Sequence, residues 1–408
     1  MEHSGAGDTA WVLASAALVM LMTPALGFFY GGLVRKKNVL STLMHSFCVL
    51  CVVSVQWVLW GYTLAFGPDW HGVIGSLAWV GFTHVGAKPN PDYAPAIPHA
   101  AYALFQMMFA VITPALITGA FAERKRFGAF VIFTVLWATF VYDPIAHWVW
   151  GHGGWLARLG TLDFAGGTVV HISSGVAALV AAWMLGRRIG HGGAHEPHDR
   201  TMMLLGASLV WFGWFGFNGG SALAANGLAA IAFVNTNVAA AMGALLWMTI
   251  AWYREGAPSS TGAAAGAVAG LVAITPAAGF VTPAAAIIIG GVAAAACYYA
   301  VRLRERMRVD DALDVFPVHG IGGTVGALLT GIFATTAINA AAANGLAYGN
   351  PRQLAVQALA VTAAWIYTAA ATYVILRLVM LVVPLRVSEH EEHLGLDVSQ
   401  HAEAAYVR

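Results

Sequence analysis

Eleven stretches of this 408-residue chain are apolar over lengths that match the thickness of a bilayer. They run at about 9–33, 41–66, 99–121, 127–148, 164–186, 201–219, 227–253, 259–277, 282–301, 315–335 and 352–383. Hydrocarbon offers no water to backbone N–H and C=O groups, so segments of this length cross as helices that make their backbone bonds internally. Only 10% of the residues are charged, against about 25% in soluble domains. The chain therefore reads as an all-α integral membrane protein. Its 46 glycines suit helices whose backbones approach closely.

Charge placement orients the spans. Arg35-Lys36-Lys37, Arg124-Lys125-Arg126, Arg187-Arg188, Arg200, Arg254 and Arg302, Arg304, Arg306 and Arg308 fall in alternate connections, on one side. The other side carries only Lys88, Arg158 and Arg352. The positive-inside rule puts the N-terminus outside and the C-terminus in the cytoplasm, with the protein in the cell (inner) membrane. The run from Thr9 to Gly32 leads straight into Arg35-Lys36-Lys37 and reads as a first span rather than a signal peptide. The long 67–98 segment, with Pro89, Pro91, Pro95 and Pro98, reads as an outer loop. The net charge of +1 says nothing of partners, and no nucleic acid is expected.

Two histidines stand out against this apolar background. His171 and His319 each lie eight residues after an aspartate, Asp163 and Asp311. Eight helical residues rise about 12 Å, close to half of a ~30 Å hydrocarbon core. Helices that begin at opposite faces bring both imidazoles to the midplane, and ionisable groups at that depth mark pathways for ions or protons. Each imidazole can donate from one nitrogen, accept at the other and relay a proton. Asp163 reads as an N-cap with an electrostatic role; Asp311 and Asp314 read as caps on the basic side, outside the site.

The spacing belongs to a larger repeat. Phe28-Phe29-Tyr30-Gly31-Gly32 in span 1 echoes Gly216-Phe217-Asn218-Gly219-Gly220 in span 6, and Ile112-Thr113-Pro114-Ala115 in span 3 echoes Ile274-Thr275-Pro276-Ala277 in span 8. The Asp-to-His spacing recurs between spans 5 and 10. Every pair is five spans apart, and an odd offset inverts the second copy. The expected architecture is two inverted five-helix repeats, about 9–188 and 200–335, plus an eleventh helix at 352–383. In such folds the substrate path lies where the halves meet.

Other polar groups read less specifically. Cys48 and Cys51 form a C-x-x-C and Cys297 lies in span 9, but on membrane helices these are small apolar residues rather than a redox or zinc pair. His191, His195, His198 and Asp199 imitate a metal cluster, yet a solvated Gly-rich loop accounts for them. No metal, cofactor or catalytic residue is expected.

The run Asp163-Phe164-Ala165-Gly166-Gly167-Thr168-Val169-Val170-His171, then Ser173-Ser174-Gly175 and Gly186-Arg187-Arg188, resembles the signature of the ammonium transporter family. So do Phe29-Tyr30-Gly31-Gly32-Leu33, Gly213-Trp214-Phe215-Gly216-Phe217-Asn218 and Phe316-Pro317-Val318-His319-Gly320, although Pro317 stands where many relatives have glycine. The resemblance runs from about residue 9 to 406. It implies a homotrimer with one narrow hydrophobic pore per subunit. Phe109, Trp150 and Ser221 would recruit ammonium outside, and Phe109 and Phe217 would form a gate. His171 and His319 would line the pore below it, with Trp214 along the route and Asp163 supporting the recruitment site from behind. The resemblance also implies that residues 1–384 form the membrane domain. Residues 385–408 would be a cytoplasmic tail that packs across subunits and lets a PII-type signal protein plug the pore. Ala402 stands where glycine is usual.

Ammonium chemistry suits these residues. The π faces of Phe109 and Trp150 attract a cation by ~0.5–2 kcal/mol, whereas a lone charge at the bilayer centre costs at least ~2.5–3.5 kcal/mol. Ammonium escapes that cost by losing a proton, and for an amine of pKa about 10.4 this takes roughly 5 kcal/mol at pH 7. Potassium has no such route. The rival readings are an ammonium sensor that barely transports and a Rhesus-type ammonia gas channel. The short tail argues against the first, and the Asp163–Gly167 run and the tail against the second. An intramembrane enzyme would need a nucleophile or metal set that the sequence lacks.

Overall fold

The computed structural model describes residues 5–193, 196–307 and 309–406. Ten helices among them are long and apolar enough to cross a membrane: Ala6–Leu33, Lys36–Phe66, His99–Phe121, Phe127–Leu159, Gly167–Leu185, Arg200–Gly220, Gly227–Glu255, Pro283–Arg306, Phe316–Phe333 and Pro351–Met380. The shorter apolar helix Ser260–Ile274 completes the eleven spans in order, as span 8. The molecule is an all-helical multi-pass membrane protein, and this element order fits the two five-helix halves and eleventh helix expected from the repeat. In the outer loop, Asp69–Trp70 pairs with Ile74–Gly75 and Pro89–Asn90 with Ala94–Pro98, both antiparallel.

The two halves meet through equivalent elements. Span 1 packs along span 6, and the start of span 10 packs on span 5. Spans 5 and 10 both open with a π-helical turn, Gly167–Ile172 and Phe316–Ile321, each containing one of the paired histidines. Such widened turns free backbone groups and recur at functional sites. Where these spans cross, a Cβ on Gly175 would overlap the backbone of Gly320. Glycine at that crossing lets the histidine-bearing helices touch.

Span 8 departs from its expected length. Its helix ends at Ile274 because Pro276 lacks the N–H that another turn needs, and Phe164 N–H instead donates to the Pro276 carbonyl at 3.1 Å. Pro114, its counterpart, is carried inside the span 3 helix. The first helix is capped by Gly5 and holds Asp8 in its opening turn, where the carboxylate accepts from Ala225 N–H at 2.8 Å.

The cytoplasmic face is tightly tied. Glu123 accepts from Arg35 Nε at 2.9 Å, Asn38 Nδ2 at 2.9 Å and Arg188 Nη1 at 3.0 Å. These partners overcome its burial and hold its carboxyl down at about 2. Asp310 pairs with Arg188 and also lies well below the usual carboxylate range; burial opposes this, and the bonds from Arg188 with the nearby Arg124 charge outweigh it. Arg124 and Lys125, read from sequence as part of a basic connection between spans, are 0% and 1% exposed. Val387 N–H donates to the Arg124 carbonyl and Arg126 N–H to that of Leu385, so the tail lies against this loop. Further along, Asp397 accepts from Leu40 N–H at 3.1 Å and Ser41 N–H at 2.8 Å, capping span 2. The tail thus docks on its own chain.

Candidate functional site

On the outer side a cavity of about 270 Å³ is lined by Phe109, Trp150, Ser221, Gln106, Phe280 and Asp163, among others. Trp150 donates its indole N–H to the Asp163 carbonyl at 2.9 Å, which fixes the ring at 89° to Phe109 with centroids 6.0 Å apart. The Ser221 hydroxyl donates to the Phe217 carbonyl at 2.8 Å, leaving its oxygen available as an acceptor.

Asp163 is occupied as a helix cap. Oδ1 accepts from Gly166 and Gly167 N–H at 2.8 and 2.6 Å, and Oδ2 from Thr168 and Val169 N–H at 2.7 and 3.2 Å. The first amides of the helix would otherwise be orphaned. Gly166 makes the wrap possible with φ +120°, a conformation costly for any residue with a Cβ. Asp311 does the same at span 10, accepting from Val315 and Phe316 N–H at 3.1 and 2.7 Å. Asp314 is not a cap: it pairs with Arg304 at 2.8 Å, and burial pushes its carboxyl up to about 7 against that ion pair.

Below the outer cavity the path closes. Phe109 and Phe217 are 1% and 0% exposed, with ring centroids 4.4 Å apart at 41°. A cavity of about 10 Å³ follows, walled by Ile112, Leu116, Val210, Phe217, Trp214 and His171, with Met22 and Leu26; that is about the space of one water. Trp214 stacks on His171 at 5.3 Å and gives its indole N–H to Thr275 Oγ1 at 2.9 Å. His171 Nε2 is buried with no hydrogen-bond partner. With the indole N–H of Trp214 committed, that nitrogen is the free polar atom on the chamber wall.

His171 and His319 meet Nδ1 to Nδ1 at 3.2 Å, with rings 5.3 Å apart at 30°. One Nδ1 must carry the hydrogen and the other accept it, which sets the opposite tautomers of the two rings. His319 in turn lines a cavity of about 370 Å³, together with Tyr30, Val315 and Val318. From outside inward, Phe109 borders the first cavity, Phe217 and His171 the second, and His319 the third.

The structure therefore brings all eight residues singled out from sequence into the walls of these three cavities. His191 pairs with Asp310 at 3.2 Å and His198 bonds the Tyr406 hydroxyl at 3.0 Å, while His195 lies outside the described residues. Among the described residues no group of three or more His, Cys, Asp or Glu could hold a metal, and Cys48, Cys51 and Cys297 are free. Sequence reading missed Gln106, Phe280 and Tyr30. It also missed Thr275, although the repeated Ile-Thr-Pro-Ala segment contains it.

Residues 10–406 match the Ammonium Transporter Family, and the chain belongs to it. The ammonium transporter of Bacillus subtilis (strain 168) is 55% identical over 98% of both chains. Among solved structures, Saccharomyces cerevisiae Mep2 superposes with a TM-score of 0.88 at 40% identity, covering 94% of this chain and 88% of that one. A structure described as a sensor Amt protein superposes with a TM-score of 0.89 at 30% identity, covering 97% and 98%. The chain is thus similar both to a relative named as an ammonium transporter and to a structure named as a sensor, and the family with its ten apolar helices places the protein in the cell membrane.

Proposed function

We propose that the chain recruits ammonium from outside at Phe109, Trp150 and Ser221, strips its proton near the Phe109–Phe217 gate, and passes ammonia along His171 and His319. The supporting observation is that Phe109 borders the outer cavity, Phe217 and His171 the small chamber, and His319 the inner cavity, with the two phenyl rings and the two imidazoles each in contact. Aromatic faces attract the cation in the wide outer cavity. The chamber below has room for about one small molecule and an apolar wall, so an intact cation would lose its hydration without replacement. Neutral ammonia needs one donor or acceptor, which His171 Nε2 offers. The released proton moves separately through the histidine pair, each ring passing it from one nitrogen to the other, which makes transport electrogenic.

In the same reading three copies assemble as a homotrimer. Residues 1–384 form the membrane domain, and residues 385–408 form a regulatory tail that also meets a PII-type signal protein. No cofactor takes part. The sensor reading differs in one respect: ammonium would bind outside without crossing. Proteoliposomes adsorbed on a sensor surface discriminate the two. Transport predicts a sustained charge movement on ammonium addition, whereas a sensor gives only a brief binding transient. Silence from vesicles holding correctly folded protein would sink the transport reading.

A further inference from the structure

Span 11 lies outside the expected repeat, and its exposed face carries apolar residues such as Ile366 and Leu378. Yet it carries two glutamines one turn apart, Gln353 and Gln357, which are 4% and 0% exposed. A buried amide in a membrane helix is costly unless its donors and acceptor are all used. Gln357 uses them all. Its Oε1 accepts from Leu162 N–H at 2.8 Å and from Gln353 Nε2 at 3.3 Å, and its Nε2 donates to the Leu162 carbonyl at 2.7 Å and the Ala327 carbonyl at 3.1 Å. Gln353 adds a bond from Nε2 to the Gly160 carbonyl at 3.0 Å.

Each partner has a consequence. Leu162 precedes Asp163, whose carboxylate starts span 5 and whose carbonyl holds the Trp150 indole. Ala327 lies two turns beyond His319 on span 10. One amide therefore ties the turn that orients Trp150, and that begins the His171 helix, to the helix that carries His319. Both backbone groups of Leu162 are bonded to the same side chain, so this turn is held much as a strand is held by its neighbour.

We propose that Gln357 is a positioning residue for transport: span 11 serves as a strut whose single amide sets the recruitment site and the spacing of the two histidine helices. The proposal rests on the transport reading given above. Its loss loosens the orientation of Trp150 and the register of span 5 on span 10 without removing any group that touches ammonium.

The test compares Gln357→Met, which keeps the length and loses every bond, with Thr372→Val. Thr372 also lies on span 11, where it accepts a hydrogen bond from Trp137 Nε1 at 3.0 Å. That variant loses a buried bond between helices but leaves the Leu162 turn alone. In proteoliposomes, normalised to folded protein, the half-saturating ammonium concentration should rise about 10-fold in Gln357→Met, and potassium should begin to compete. Thr372→Val should keep wild-type values for both even if its melting midpoint falls. If Gln357→Met does not assemble, Gln357→Asn, which keeps a neutral amide but is one methylene too short to hold both Leu162 and Ala327, should shift half-saturation in the same direction by a smaller factor. A wild-type half-saturation in whichever Gln357 variant folds overturns the proposal. Wild-type protein that moves no ammonium instead overturns the transport reading beneath it.

Discussion

His171 and His319 meet through their Nδ1 atoms at 3.2 Å although 148 residues separate them in the chain. Their helices belong to opposite halves, start at opposite faces, and are brought together where Gly175 crosses Gly320. The contact is thus made by helix packing and inverted topology, and the side chains only complete it.

The crossing itself is open to test. Gly175→Ala places a methyl group on the Gly320 backbone, where no side chain can swing away, and overpacking of this kind costs about 1–3 kcal/mol. We expect a lower melting midpoint and a loss of ammonium transport of at least about 10-fold, since spans 5 and 10 must separate. Gly128→Ala, at a site with nothing within 4 Å, should leave both unchanged. Normal transport in Gly175→Ala would mean that the histidine contact does not depend on this crossing.

Asp163 offers a second prediction. Asp163→Asn keeps the shape but exchanges one acceptor oxygen for an NH2 group, which faces two backbone N–H donors. Each orphaned donor costs about 1–3 kcal/mol, so the start of span 5 should fray. The same turn fixes Trp150, so recruitment should fail along with stability. Thermal melting and ammonium uptake, measured together, should both fall sharply. A variant with wild-type melting and uptake would show that the four N–H bonds to the carboxylate are dispensable.

Lys125 gives a pH-dependent prediction. Its Nζ is buried without a hydrogen-bond partner and sits 4.9 Å from the ring centres of Phe121 and Phe133. Burial, with the neighbouring Arg124 charge, lowers its amine from 10.5 to about 7. The folded protein therefore binds this proton less readily than the unfolded chain, and the group's contribution to stability rises with pH between about 7 and 10.5. Lys125→Met removes the desolvated amine, so it should raise the melting midpoint most at pH 6 to 7 and progressively less towards pH 10. A gain that does not vary with pH would contradict the assignment.

Much of this arrangement is written locally. Apolar length marked the spans, and the Asp-to-His spacing marked the two helices that carry the paired histidines. The parts that escaped depend on which faces of distant helices meet. Gln357 reads in sequence as a stray polar residue in a long apolar helix; only its approach to Leu162 and Ala327 gives it a task. Lys125 sits in a basic tripeptide that signals an exposed loop, and its burial depends on a tail more than 250 residues away. The Ile-Thr-Pro-Ala echo predicted similar helices in spans 3 and 8. The helix stops short of the proline in span 8 and runs through it in span 3, and Phe164 N–H takes up the carbonyl that Pro276 presents.

In the proposed function the paired imidazoles form the neutral polar strip along which ammonia passes and potassium is refused. The most direct measurement is the current carried by wild type, His171→Asp and His319→Asp in proteoliposomes, with ammonium or potassium as the only permeant cation. Wild type should carry ammonium-driven current and no potassium current, and clear potassium current should appear once a carboxylate replaces either imidazole. Variants that carry ammonium current and still exclude potassium would contradict this role.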